Sequence, residues 1–133
     1  MTKPTRRSFI AKTSLLALGA TTSAWAATPA KPMLTHHVFF WLKNPASKED
    51  QAKLIEGVKS LSKIETIRQL RVGIPAETEK RPVVDSSYGV SELILFDDLA
   101  GQKTYQDHPV HQKFIADYSH LWEKVIVYDS IDI

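Results

Sequence analysis

Apolar positions change period along the chain, and the changes mark out an order of elements. Residues 34–43 alternate in a stretch rich in β-branched and aromatic types, which predicts a strand; one parity holds His36, Val38, Phe40 and Leu42, the other Thr35, His37, Phe39 and Trp41. Asn44-Pro45 stops it. Ser47 with Asp50 three residues on resembles a capping box, and Leu54, Ile55, Val58 and Leu61 then recur at helical spacing, giving a helix to about Lys63. A second strand is expected over residues 66–73. Residues 74–87 hold Pro75, Pro82 and mixed charge without a period and read as a long loop. The third strand is placed at 88–96. Asp97-Asp98 opens a helical stretch, and Pro109 starts another helix, whose apolar side is Val110, Phe114, Ile115, Tyr118 and Trp122. Residues 124–131 alternate as the last strand.

The sum is β-α-β-β-α-β with a split final helix, an α+β, ferredoxin-like pattern in which an antiparallel four-stranded sheet carries its helices on one face. Such a sheet leaves Phe39, Trp41, Leu93, Leu95, Ile126 and Tyr128 on the face without helices. A patch of that size calls for a cover. A second copy of the same sheet is the simplest one, so a homodimer is expected.

The first 26 residues are a different object. Thr5-Arg6-Arg7-Ser8-Phe9-Ile10-Ala11-Lys12 has the form of a twin-arginine box, followed by the apolar run Leu15-Leu16-Ala17-Leu18-Gly19-Ala20 and a small-residue cleavage site at Ala24-Trp25-Ala26. The run is too short for a stable bilayer span of ~20 residues. Residues 1–26 therefore read as an export signal and 27–33 as a tether. The domain over 34–133 is expected to work in the periplasm or outside the cell, without stable membrane anchoring once the signal is removed. The net charge of +2 changes meaning accordingly: the signal holds four basic residues and no acid, leaving 13 basic against 15 acidic ones, near −2. No Lys/Arg run exceeds two residues, so nucleic acid is not an expected partner. With no cysteine there is no disulfide, thiolate nucleophile or Cys-ligated metal. No metal site is expected.

From His36 to Asp129 the chain resembles the stress-responsive A/B barrel (Dabb) family. The resemblance is carried by His36 with Phe40 and Leu42-Lys43 in the first strand, Arg71-Val72-Gly73 closing the second, and Phe96 ending the third. Tyr105 before His108-Pro109-Val110-His111, and Trp122-Glu123 before the last strand, complete it. It implies a homodimeric α/β barrel with its sheets packed face to face. It implies no single activity, since the family includes plant polyketide cyclases, stress-induced stable proteins and members without known activity. In the cyclising relatives the His ending the His-Pro-x-His motif and the Tyr six residues before it are the implied acid/base pair. Here these are His111 and Tyr105. Imidazole supplies a base near neutrality for a proton alpha to a carbonyl, and a hydroxyl holds the developing enolate oxygen, with no cofactor required.

Alternation sends His36 and Glu92 toward the same side, and the expected ligand set is His36, Val38, Phe40, Glu92, Ile94, Phe114 and Trp122 around Tyr105 and His111. Each has a bland counterpart: His111 bracing its helix, Tyr105 an amphipathic core residue, His36 a core histidine with one satisfied nitrogen. His37 is expected at the interface, His120 in solvent, and His108 in the turn before Pro109. Asp97-Asp98 reads as a helix N-cap pair rather than a metal site. Glu92 occupies a position usually apolar in the family; a rim placement is favoured over a cleft placement, where the carboxyl would be costly unless paired. The resulting expectation is an exported barrel that binds a small, partly apolar molecule or acts in stress tolerance. The alternatives are a cofactor-independent enzyme, polyketide-cyclase-like or quinol-monooxygenase-like, using the His/Tyr pair, and a haem-binding barrel.

Overall fold

The first strand, β1 (Leu34–Leu42), is buried at every second residue and becomes one of the two central strands of the sheet. The structure, a computed structural model, describes residues 31–133. The signal expected at 1–26 and most of the tether lie outside the described residues. β1 is followed by α1 (Lys48–Ser60), β2 (Ile67–Gly73), β3 (Val90–Phe96), α2 (Leu99–Asp107), α3 (Pro109–Tyr118) and β4 (Trp122–Ile131). The strands lie in the order β2-β3-β1-β4, all antiparallel. This is the expected ferredoxin-like α+β topology, with β3 beginning two residues later than the alternation suggested.

The local signals work as physical devices. Ser47 caps α1 by accepting from the Asp50 amide at 3.1 Å, but Asp50 does not close a reciprocal capping box; its carboxylate takes the Asn44 side-chain amide instead. Asp98 caps α2 through the Gly101 amide at 2.8 Å, while Asp97 pairs with Arg68 across the sheet edge. His108 ends α2 and caps α3, its Nδ1 accepting from the Val110 amide at 3.0 Å, with Pro109 as the first residue of α3. His108 thus serves the turn, as expected, and His120 is exposed.

The helices cover one face. Leu54, Val58, Leu61 and Ile64 meet Val90, Ile94 and Phe96 in a core that also takes Leu34, Val38, Phe40 and Leu42. α1 approaches α3 at Gly57, where an added Cβ would lie 2.7 Å from the Tyr118 ring. On the other face, Phe39, Trp41, Leu93, Leu95 and Ile126 stay only partly covered and Tyr128 is 63% exposed. His37 and Phe39 sit ring against ring there at 4.3 Å, and Lys124 lies over Trp41. No helix among the described residues is long and apolar enough to cross a membrane.

Candidate functional site

The register of β1 places the polar groups that the sheet contributes to the cavity. On its helix-facing side His36 stands between Ile94 of β3 and Asp129 of β4, and Val38 stands between Glu92 and Val127. Tyr105 comes down from α2 and His111 from α3. In one continuous helix, residues six apart point about 120° from one another at about 100° per residue. The break at His108-Pro109 redirects the second helix and brings the two rings to 4.7 Å between centroids. The motif spacing is productive only because the helix is split.

These side chains line a cavity of about 170 Å³, whose other walls are Val38, Phe40, Phe114, Ile115, Trp122, Val125 and Val127 with Gln106 at its border. Phe114 and Trp122 stack at 5.7 Å, and Phe40 packs on Trp122 at 5.0 Å. A bulge after Trp41 shifts the β1/β4 register so that Trp122 faces Leu42, on the helix side. Val125 and Val127 stay nearly half exposed because β4 is an edge strand, and they form the open side.

His36 Nδ1 bonds Asp129 Oδ1 at 2.6 Å, so in the neutral ring Nδ1 carries the proton and Nε2 remains an acceptor. Tyr105 donates its hydroxyl proton to Glu92 Oε1 at 2.8 Å. Glu92 is 1% exposed, and no cation pairs with it among the described residues. Burial pushes its carboxyl from the ordinary 4.5 up to about 7, against the opposing effect of the Tyr105 hydrogen bond. Burial pushes the Tyr105 hydroxyl up as well, reinforced by the Glu92 charge and the hydrogen bond to it, so the phenol stays protonated. His111 is held below the usual imidazole value by burial first, opposed by its hydrogen bond to the Gln106 backbone and aided by the nearby His36. The site therefore combines a neutral imidazole, a protonated phenol and a carboxyl poised at neutrality. That set is suited to holding a polar group and moving a proton.

Two expectations need correction. Glu92 is not at a rim: it sits on the helix-facing side, buried and hydrogen-bonded, because its alternation matches Val38 across the strand pair and Tyr105 supplies its partner. Ile94 is fully buried but does not line the cavity. The Tyr105 ring lies 5.2 Å from Phe96, and its hydroxyl reaches Glu92, so it runs over the residue standing between them. Asp129 was missed. Alternation along residues 125–129 marks it as helix-facing, but only the register shows that it meets His36. The loop over 74–87 does not close this cavity; it borders a separate groove of about 930 Å³ with Trp41, Lys48 and Glu123.

The family model for the Stress responsive A/B Barrel Domain matches residues 34–132. The chain belongs to this family. A Dabb family protein of ferredoxin-like fold from Mesorhizobium loti is similar, at 25% identity and a TM-score of 0.63, with 77% of this chain and 98% of that one covered. A dimeric ferredoxin-like protein of unknown function from Bacteroides fragilis shares 23% identity with a TM-score of 0.56, covering 74% of this chain and 94% of that one. Hydroxynitrile lyase from Passiflora edulis shares 19% with a TM-score of 0.60, covering 76% and 94%. No curated protein matches the chain.

Haem does not fit this Dabb cavity. Sites for drug-sized ligands span ~300–1,000 Å³, and 170 Å³ is too small for a porphyrin. No group of three or more His, Asp or Glu side chains among the described residues is arranged to hold a metal ion.

Glu92 makes stability depend on pH. Its folded-state pKa lies above the unfolded value, so the stability it contributes is fully present below about pH 4.5 and is lost as pH rises through about 7. His111 works in the opposite sense: its depressed pKa contributes stability above the usual imidazole value that is lost on acidification. Comparison with Glu92→Gln isolates the carboxyl. Measured by urea unfolding, the stability of Glu92→Gln relative to the unmodified protein is expected to rise by roughly 3 kcal/mol between about pH 4 and about pH 8. A difference that does not change with pH would show that the carboxyl is not perturbed.

Proposed function

We propose that this Dabb domain binds a small, partly apolar molecule in the cavity between sheet and helices. One observation carries the reading: four polar side chains from four elements, His36, Glu92, Tyr105 and His111, converge on a cavity whose remaining walls are almost wholly apolar. Apolar walls supply affinity by excluding water, and the convergent polar groups fix orientation.

A second reading, cofactor-independent acid/base catalysis, is favoured by the state of the pair. A neutral His111 is a competent base, and a protonated Tyr105 is a donor for a developing oxyanion, 4.7 Å away ring to ring. Tyr105→Phe and His111→Ala test both. His111→Ala is expected to leave the melting temperature nearly unchanged and Tyr105→Phe to lower it, because Glu92 loses its buried partner; both are expected to lower the small-molecule occupancy seen by native mass spectrometry. If the pair is catalytic, the loss in turnover is about 10² to 10⁴. Scaffolding residues would instead lose ~1 kcal/mol or more of stability with occupancy intact.

The assembly we propose is a homodimer formed through the uncovered sheet face. The partly exposed Phe39, Trp41, Leu93, Leu95 and Tyr128 support it, as do relatives described as dimeric. Light scattering is expected to give the mass of two chains. Phe39→Glu, with only Ser91 and Ile126 opposite it, would place an unpaired charge in the seam at a cost of several kcal/mol and split or unfold the pair. A single-chain mass for the unmodified protein contradicts this.

Export by the twin-arginine route is the remaining proposal, resting on Arg6-Arg7 and the Ala24-Trp25-Ala26 site. N-terminal sequencing of exported material should begin at Ala27, and replacing both arginines by lysine should retain the protein inside. Exported protein that still begins at Met1 or Thr2 would refute it.

A further inference from the structure

The Tyr105 hydroxyl has one proton to donate, and it is committed to Glu92 Oε1 at 2.8 Å. A phenol offers one donor and two acceptor positions. While Glu92 is ionised, Tyr105 has nothing left to donate to a molecule in the cavity. A proton on Glu92 lets the bond reverse: the carboxyl donates to the Tyr105 oxygen, and the phenolic proton is free to turn toward the cavity that both residues line. The surroundings favour that neutral form. Val38 and Val72 stand opposite Glu92 on the neighbouring strands, and α1 contributes Leu54 and Val58 to the same core.

We propose that Glu92 is a positioning residue that decides what Tyr105 offers the ligand. Protonated, it lets the cavity present a hydroxyl donor and accept a molecule whose polar end is a carbonyl oxygen; ionised, it withdraws that donor. This rests on the reading of the cavity as a binding site and assigns the polar end of its ligand. Binding is then coupled to uptake of one proton at Glu92, with no other bond made or broken. The other titratable groups facing this carboxyl are Tyr105 from α2, His111 from α3, and His36 from β1 with Asp129 of β4 behind it. β2 brings only Val72 opposite it.

The test compares two probes of similar size, cyclohexanone as a pure acceptor and cyclohexylamine as a cationic donor, titrated calorimetrically into the purified protein across pH. Cyclohexanone affinity is expected to be flat in acid and to fall about tenfold per pH unit above about 7. Glu92→Gln has an amide that can donate to the Tyr105 oxygen at every pH, and Glu92→Leu leaves the phenol unengaged. Both should bind cyclohexanone with the acid-limb affinity throughout, and Tyr105→Phe should bind it weakly at all pH. A slope that persists in Glu92→Gln and Glu92→Leu belongs to His111 or His36 and overturns the inference while leaving the binding site standing. Tighter binding of cyclohexylamine above pH 7 also overturns it, making Glu92 a counter-charge instead. Absence of binding by both probes in the unmodified protein defeats the underlying reading as well.

Discussion

The sheet side of the cavity hangs on the register of one central strand. β1 is hydrogen-bonded on both sides, so its alternation fixes which residues of β3 and β4 share a face with His36 and Val38. A slip of one residue would send His36 to the uncovered face and bring His37 inward. The slip is blocked by burial, because Val38, Phe40 and Leu42 would leave the core with it. The site is therefore held by the same apolar contacts that hold the fold.

Within that frame the polar groups survive burial by pairing. Glu92 without Tyr105 would be an isolated carboxyl in an apolar layer, and Tyr105 without Glu92 would be a buried hydroxyl lacking this acceptor. His36 is satisfied differently, through an aspartate that is half exposed and keeps its own hydration. One pair is thus closed inside the protein and the other opens to water. Closure away from water is why the Glu92 carboxyl rises toward neutrality.

The split helix supplies the geometry that the sheet cannot. α2 lays Tyr105 over Ile94 and Phe96, and the His108-Pro109 break lets α3 start at a new angle, placing His111 and Phe114 over the other half of the cavity. His108 serves as both the end of one helix and the cap of the next, so the motif residue outside the cavity helps to place the two inside it.

Much was legible in the residues themselves. Alternation in β1, β3 and β4, the caps at Ser47, Asp98 and His108, and the proline opening α3 are local signals, and local backbone physics is written in adjacent residues. They determined the element order, the uncovered apolar face and the parity that turns His36 and Glu92 toward the helices. Depth and pairing belonged to the tertiary structure. Whether Glu92 lay at a rim or in a core depended on the path of the Tyr105 ring; whether Ile94 reached the cavity depended on the same ring. The meeting of His36 with Asp129 depended on a register between strands 93 residues apart. Such contacts join residues distant along the chain, and periodicity carries a residue's face but not its neighbour across the fold.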